Sequence, residues 1–405
     1  MKLALMSDFH LGYNEDALLQ AREALYRGLQ EADVLLLAGD LFDHRVPKQE
    51  VLHDAIALFG ELKAKARQQG KLTGVSMYGL DENGQRLEGS LVETPFVAIY
   101  GTHERRSKGL INAVQMLAAA GLVVNAHARA VGIEKNGEKV VIQGMGGLPE
   151  EFARQALKLL DPKPVAKAFN VFMMHQTLKE LIPYNEQFLS MPDLPEGFDL
   201  YLNGHIHWNR ELRSGNKHLL IPGSTVITQQ KPNEQHGKGY YLYDTTSRQA
   251  EFRTINSRPF HYLELTFDAA HPADVARDVR AKLEQVASKE MRGKPLVKLK
   301  LMGTLAKGFN PASVDVTILE REFLPKAYVS IDKEFSAAEL KQKVEILRRL
   351  RQEQVGAHEM GLAILKDKLQ AAKSPLTSQA EELFETLASG SADQALKRLA
   401  LPLKG

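Results

Sequence analysis

The stretch FVAIYGTHERR, residues 96–106, indicates how the first part of this 405-residue chain folds. The apolar residues before Gly101 are typical of a buried strand, and the glycine marks the point where the strand stops. Two polar residues, Thr102 and His103, follow at once. We interpret this arrangement as a strand whose carboxyl end presents a functional side chain.

The same pattern recurs up to about residue 255, which predicts an α/β domain. Short apolar runs that end in polar clusters are separated in several places by segments with helical periodicity. A central pair of sheets with helices on the outside is the expected architecture. The stretch 70–94 contains glycines and the turn signal ENGQ, and predicts an inserted hairpin or a surface excursion. The predicted helices span 15–31, 47–69, 109–121 and 150–160.

A change in composition at 256–260 predicts that two further parts follow the α/β domain. Strand, helix, strand and strand signals over 256–335 indicate a small α+β domain. Residues 336–405 are mainly helix formers, and their apolar stripes favour either packing within the chain or binding to a partner. We therefore predict three parts, with bounds 1–255, 256–335 and 336–405. The stripes consist of Leu340, Val344, Leu347 and Leu350, and of Leu376, Ala380, Leu383 and Leu387.

Charge and cysteine content restrict the chemistry. The formal net charge is +2, from 52 basic and 50 acidic residues, so any contact with nucleic acid must be local. The chain has no cysteine, which excludes disulfides and thiolate metal sites and leaves His, Asp, Glu, Asn or backbone oxygens as ligands. The sequence shows no signal-peptide pattern and no apolar run approaching ~18 residues, so we expect a cytoplasmic protein that does not span a membrane.

Metal-ligand residue types follow the ends of five predicted strands. In α/β folds the carboxyl ends of strands converge on one crevice, so distant residues can meet there. One isolated histidine is more often a turn residue than a ligand, but the joint occurrence indicates a metal centre. Strand alternation predicts that residues two apart, such as 8 and 10 or 205 and 207, face the same way. The candidates are Asp8, His10, Asp40, His103, His175, His205 and His207.

This ligand set favours a particular type of chemistry. A carboxylate such as Asp40 can bridge two cations, and imidazoles suit Mn²⁺, Fe²⁺ or Zn²⁺. Two cations about 3.5–4 Å apart can hold a phosphodiester and lower the pKa of a bridging water. A metal-free imidazole could then protonate the leaving oxygen, and His103 is the candidate for this role.

The ordered motifs D-x-H, GDLFD, G-x-H-[DE], a lone strand-end histidine and GHIH resemble those of the calcineurin-like metallophosphoesterases. SDFHLG, GDLFD and IPGSTVITQ…GKGYYLYD look like the SbcD-type nucleases of double-strand-break repair, the meiotic-recombination-eleven family. The resemblance covers about 1–255. It implies a β-sandwich flanked by helices, a DNA-binding capping domain and a C-terminal helical segment that binds the coiled coil of an SbcC-type ATPase.

The same resemblance implies a Mn²⁺-dependent exonuclease or endonuclease that acts on DNA ends and is associated with the nucleoid. It implies a homodimer formed through helices of the nuclease domain, which would be 47–69 and 109–121 here. Each chain would hold two Mn²⁺ ions. The resemblance assigns Asp8, His10, Asp40 and His207 to one ion, Asp40, His175 and His205 to the other, and the role of general acid to His103.

Two positions depart from the family pattern. Thr102 replaces an asparagine that supplies an amide oxygen to the second metal, and its shorter hydroxyl is a poorer ligand. We therefore expect the second metal site to be weak. Asp43 stands where many relatives have histidine; it could orient His103, position a ligand or cap the following helix.

Basic residues next to the predicted site are candidates for DNA contact. Arg105, Arg106 and Lys108 directly follow His103, so we predict that they bind phosphates, the alternative being a solvated loop. The loop around Lys231, His236 and Lys238 is a weaker candidate of the same kind, and Lys238 could instead serve the turn.

Two other functions are compatible with the sequence. The metal pair could hydrolyse small phosphoesters, although such an enzyme would not need the residues after 255. The chain could also be a DNA-end-binding scaffold with weakened catalysis, because Thr102 replaces a metal ligand.

Overall fold

A computed structural model describes residues 1–87, 91, 93–182, 186–289, 293–336, 357–372 and 374–388. The predicted stripe from Leu340 to Leu350 lies outside this part of the chain. The chain divides into two compact units, and the predicted bounds at 255 and 335 stay predictions. One unit is Met1–Leu263, Ala287–Lys298 and Phe323–Ser330, and the other is Glu264–Val286, Leu299–Glu322 and Ile331–Gly405.

Among the described residues up to 255, the first unit has two sheets and four α-helices. The helices are α1 (Glu15–Glu31), α2 (Gln49–Gln68), α3 (Ala113–Ala119) and α4 (Glu150–Leu160). The strands are β1 (Lys2–Met6), β2 (Val34–Ala38), β3 (Ser76–Leu80), β4 (Phe96–Ile99), β5 (Val124–Asn125), β6 (Ala130–Lys135), β7 (Glu138–Met145), β8 (Phe169–Met174), β9 (Leu200–Asn203), β10 (Arg210–Ser214), β11 (Lys217–Ile221), β12 (Gly239–Asp244) and β13 (Gln249–Thr254).

Each sheet has a parallel centre. The six-stranded sheet has the order β13-β12-β1-β2-β4-β5, and β1, β2, β4 and β5 run parallel. The seven-stranded sheet has the order β10-β11-β9-β8-β7-β6-β3, and β11, β9, β8 and β7 run parallel. The strands that precede the predicted ligands, β1, β2, β4, β8 and β9, all belong to these parallel sets. Their carboxyl ends can therefore meet at one site.

The hydrophobic core shows that the sheets are layered face to face. Leu5, Leu36 and Met173 are completely buried in a cluster to which both sheets contribute. A second cluster packs α1, α2 and α3 on the six-stranded sheet, and a third packs α4 on the seven-stranded sheet. Both central sheets are thus covered on two faces, which is why their strands are almost continuously apolar. This layering confirms the predicted sheet pair with outer helices.

Predicted and observed helix bounds agree for 15–31 and 150–160. The helix predicted over 109–121 is shorter, because Asn112 caps it. The Asn112 side chain accepts a hydrogen bond from the Gln115 backbone N–H, and the Gln115 side chain accepts one from the Asn112 N–H. This capping box ends the preceding loop and begins the helix at Ala113.

The inserted stretch 70–94 contributes to the seven-stranded sheet. Its strand β3 pairs antiparallel with β6 at the edge of that sheet. The chain then turns back, because the Asp81 carboxylate accepts hydrogen bonds from the backbone N–H groups of Asn83 and Gln85. The Leu87 N–H donates to Gly79 O at 2.9 Å, so residues 76–87 form a hairpin attached to the sheet.

Apart from one additional α-helix, the described elements from residue 256 up to residue 336 follow the predicted order of strand, helix, strand and strand. The remaining described elements are β14 (Phe260–Ala270), α5 (Pro272–Ala287), β15 (Leu296–Leu305), α6 (Thr317–Phe323), β16 (Tyr328–Ser336), α7 (Ala357–Ala371) and α8 (Ala380–Ala388). The three strands form a sheet in the order β14-β15-β16, and α6 was not predicted. In the tail, Ala380 is buried, whereas Leu387 is 46% exposed. None of the described helices is long and apolar enough to cross a bilayer.

Candidate metal centre

Seven of the predicted candidates converge beyond the carboxyl ends of the parallel strands. His207 Nε2 lies 3.8 Å and His10 Nε2 lies 3.9 Å from Asp8 Oδ1. His175 Nε2 lies 3.1 Å from Asp40 Oδ2. Within each of three overlapping groups the ligand atoms lie within 4.8 Å of one another; the groups are Asp8–His10–His207, His10–Asp40–His103 and Asp40–His175–His205.

Left-handed backbone conformations, and not strand alternation, aim four of these side chains. The φ angles are 55° at Asp8, 48° at His10, 50° at Asp40 and 74° at His205. All four residues lie beyond the ends of their strands, so strand alternation does not explain why Asp8 and His10 face the same site. Non-glycine residues pay an energetic penalty in this region and keep it only where the surroundings enforce it. Here the Asp8 N–H donates to Gly39 O at 2.9 Å, and the His10 N–H donates to Asp40 O at 3.0 Å.

Two buried histidines are oriented as metal ligands would be. His175 Nδ1 lies 2.7 Å from its acceptor, Ala38 O, and His10 Nδ1 lies 3.0 Å from Asp43 Oδ1. Among the described residues, His10 Nε2 has no hydrogen-bond partner, and His175 Nε2 faces only the Asp40 carboxylate. Buried ring nitrogens are seldom left unpaired, and an imidazole with Nδ1 bound to an acceptor offers Nε2 to a cation. The residues present therefore fit divalent cations.

Asp43 orients two histidines. Its side chain contacts His10, and its backbone oxygen lies 2.7 Å from His103 Nδ1, while Asp43 Oδ1 lies 3.6 Å from the same nitrogen. The N-cap of α2 is Lys48, so Asp43 does not have the alternative role of capping that helix. The His103 side chain is 42% exposed, and the hydrogen bond through Nδ1 leaves Nε2 for proton transfer.

Thr102 lies beside the shared carboxylate. Its hydroxyl donates to Asp40 Oδ2 at 3.3 Å, and the His103 N–H donates to Asp40 Oδ1 at 2.8 Å. The hydroxyl proton is therefore directed to Asp40, and the oxygen lone pairs remain the part of Thr102 that could contact a cation. Its role as a ligand stays a prediction.

Two glycines allow the strand ends to approach. A Cβ atom on Gly101 would lie 2.1 Å from Asp40 Oδ1, and one on Gly204 would lie 2.1 Å from Ala38 O and 2.6 Å from His175 Nδ1. No side chain fits at these distances, so the glycine of G-x-H and that of GHIH are required by close packing.

Glu104 is a site residue whose role the sequence did not predict. It is completely buried, and its carboxylate accepts hydrogen bonds from Phe42 N at 2.9 Å and Gly101 N at 2.7 Å. Burial and the charge of Asp40 raise the pKa of Glu104 to about 8. The side chain thus joins the loop after β2 to the loop after β4. The signal for Glu104 in the sequence is its position directly after His103, as the acidic residue of the G-x-H-[DE] motif.

The metal-free site contains a buried ion pair. Burial alone would lower the pKa of His175, but the charge of Asp40 outweighs it and raises this pKa to about 10. Burial would likewise raise the pKa of Asp40, but the charge of His175 holds it well below its usual range. Burial raises the pKa of Asp8 to about 6. A cation that binds His175 through Nε2 must therefore displace a proton.

We expect Mn²⁺ binding to strengthen as the pH rises from 6 to 9. Because the pKa of His175 lies above this range in the metal-free protein, each released proton should raise the affinity by up to about tenfold per pH unit. Calorimetric titration in buffers of different ionisation enthalpy measures the protons released. An affinity that does not change between these pH values would contradict the proposed ligand role of His175.

The basic candidates differ in how accessible they are. Lys108 is exposed, Arg105 and Arg106 are half-buried, and one Arg106 nitrogen lies 3.5 Å from Arg45 O. Lys238 is buried at 3% exposure, so the predicted DNA contact by this residue is wrong, and its alternative structural role holds. Lys231 and His236, by contrast, are exposed.

Comparison with known proteins identifies the type of domain. The family model described as "Calcineurin-like phosphoesterase" matches residues 1–209, which is more than half of the 405 residues. The "DNA double-strand break repair protein Mre11" of Methanopyrus kandleri is 30% identical over 271 residues, covering 60% of this chain and 54% of the relative. The "Double-strand break repair protein MRE11" of Mus musculus is 25% identical over 372 residues, covering 77% of this chain and 52% of the relative.

The chain therefore spans about half the length of the curated relatives it matches. Among solved structures, one titled as a novel archaeal phosphodiesterase aligns with 63% of this chain and 100% of its own, at 13% identity and a TM-score of 0.31.

Proposed function

This chain belongs to the calcineurin-like phosphoesterase family, and we propose that it is a metal-dependent nuclease that hydrolyses phosphodiester bonds at DNA ends. The observation that carries this proposal is the convergence of aspartates and histidines on one buried site. The names of the related proteins, which refer to double-strand break repair, support DNA as the substrate. We further propose Mn²⁺ as the ion.

The residues of the site have separable roles in this proposal. Two cations bound there would polarise the phosphodiester and lower the pKa of a bound water. His103, whose Nδ1 is held by the Asp43 carbonyl, gives a proton from Nε2 to the leaving oxygen. The cation ligands would be Asp8, His10, Asp40 and His207 for one ion, and Asp40, His175 and His205, with Thr102 as a weaker ligand, for the other.

Binding of DNA is proposed to be local. The chain has a net charge of only +2, so a few basic residues near the cleft must supply the phosphate contacts. Lys108 and the partly exposed Arg105 and Arg106 follow His103 directly and are suited to this role. Such contacts position the DNA without selecting its sequence, as an enzyme acting on DNA ends requires.

The assembly remains part of the proposal. We propose a homodimer through α2 and the segment around α3, where Ile56, Ile111 and Met116 are 43%, 66% and 44% exposed. Exposed apolar side chains of this kind are common at interfaces between proteins. We also propose that the C-terminal helices bind an SbcC-like coiled-coil ATPase, and that the protein acts inside the cell at the nucleoid.

The test is release of labelled nucleotides from linear double-stranded DNA with Mn²⁺, with Mg²⁺ or with chelator. We expect release with Mn²⁺ and none with chelator, because the ligand set is suited to a divalent cation. p-Nitrophenyl phosphate serves as a parallel substrate. Hydrolysis of this ester with intact DNA would instead indicate a small-molecule phosphoesterase, and DNA binding without any cleavage would indicate a scaffold.

A further inference from the structure

A buried network lies behind His207 and is not part of the proposed reaction. The imidazole Nδ1 of His207 is hydrogen-bonded to the Thr228 hydroxyl. Its other ring nitrogen, Nε2, is the atom that lies in the group with Asp8 and His10. A neutral imidazole that binds a cation through Nε2 carries its proton on Nδ1, so the Thr228 hydroxyl is then the acceptor.

Thr228 is held in place through its own backbone. The Thr228 N–H donates to Glu234 Oε1 at 3.2 Å, and the next N–H, of Gln229, donates to Glu234 Oε2 at 2.8 Å. On the other side, the Tyr13 hydroxyl donates to Thr228 O at 2.9 Å. These bonds fix the backbone from which the Thr228 hydroxyl reaches His207.

A buried ion pair connects this loop back to His207. The Lys238 ammonium donates to Glu234 Oε1 at 2.9 Å, to Ser224 Oγ at 2.9 Å and to the backbone oxygen of His207 at 2.8 Å. Lys238 and Glu234 are 3% and 2% exposed. All three ammonium hydrogens are thus used, and His207 is connected to the same network through its backbone and through its ring.

We propose that Thr228, held by the Glu234–Lys238 ion pair, is a positioning residue for His207 and sets the affinity of the cation site formed with Asp8 and His10. This inference rests on the metal dependence in the proposed function. It predicts an effect confined to one site, because the equivalent nitrogen of His175 is bound to the Ala38 carbonyl and not to this network. Groups that orient a ligand histidine typically change metal affinity by about 10–100-fold when removed.

The test is calorimetric titration of the full chain with Mn²⁺. Thr228→Val keeps the shape of the side chain and removes the hydroxyl, and should weaken one site about 10–100-fold while the other changes by less than about twofold. Thr228→Ser, which restores a hydroxyl, should recover most of the affinity. Thr254→Val, at the exposed end of β13, is the matched control and should bind both ions like the wild type.

A His175→Ala background identifies the affected site. With the other site disabled, the remaining ion should still lose affinity when Thr228→Val is added. The pair of changes Glu234→Gln and Lys238→Met removes both buried charges together, so that neither is left unpaired, and should weaken the same site.

Three results would overturn the inference. The first is wild-type affinity at both sites in Thr228→Val, and the second is an equal loss at both sites together with a lower unfolding temperature. If either result is found and the wild-type protein still cleaves DNA, the proposed function stands and only this inference is removed. The third is wild-type protein that binds no Mn²⁺, which removes the proposed metal dependence and the inference with it.

Discussion

His103→Ala is expected to slow DNA cleavage by about 10²–10⁴-fold, the usual contribution of a general acid, and to leave Mn²⁺ binding nearly unchanged. The His103 side chain is 42% exposed, and its Nδ1 is bound to the Asp43 carbonyl. The buried side chains proposed as ligands, such as Asp8 and Asp40, do not depend on this ring for their own hydrogen bonds. The measurement is single-turnover cleavage of a labelled DNA end, together with a Mn²⁺ titration of the same protein.

Two other histidine variants separate the loss of an acid from the loss of a metal. His175→Ala removes a completely buried side chain that we propose as a ligand, and should abolish cleavage together with binding of one ion. His53→Ala changes a histidine on α2 whose side chain is 79% exposed, and should cleave like the wild type. If His103→Ala itself loses an ion, His103 is a ligand within the His10–Asp40–His103 group and not the general acid.

Glu104→Ala should destabilise the domain by about 3–5 kcal/mol, because it leaves two buried backbone N–H groups without acceptors and opens a cavity. These groups belong to Phe42 and Gly101, which lie in the two loops that hold Asp40 and His103. Urea denaturation followed by the fluorescence of Trp208, the single tryptophan, reports on this domain. Chelator should be present, so that any change in metal affinity does not contribute to the measured free energy of unfolding.

Glu104→Gln provides the matched comparison. It keeps the volume and one acceptor oxygen but directs an amide N–H₂ at the second backbone N–H. It should therefore lower the free energy of unfolding, but by less than Glu104→Ala does. Glu82→Ala, in an exposed turn, should change stability by less than about 0.5 kcal/mol. A cost this small for Glu104→Ala as well would show that the two loops do not need the carboxylate.

Much of the fold follows from local patterns. The bounds of α1 and α4 and the positions of β1, β2, β4 and β8 could be predicted, because the periodicity of apolar residues depends only on the geometry of helices and strands. The shorter length of α3 and the existence of α6 could not be predicted from local patterns. Their ends depend on side-chain caps and on tertiary packing, which outweigh propensity in short helices.

The candidate site likewise has features that local sequence patterns predict and features that they do not. The residue types and their positions after strand ends, from Asp8 to His207, were sufficient to predict a metal centre, because parallel strands bring their carboxyl ends together. The left-handed turns that aim Asp8 and His205, the burial of Glu104 and the network behind His207 could not be predicted. They depend on contacts between residues far apart in the chain, such as Glu104 with Phe42, and on φ angles that non-glycine residues adopt only when such contacts enforce them. The sequence alone therefore determined which side chains meet, whereas the tertiary structure decided how each one is oriented and held.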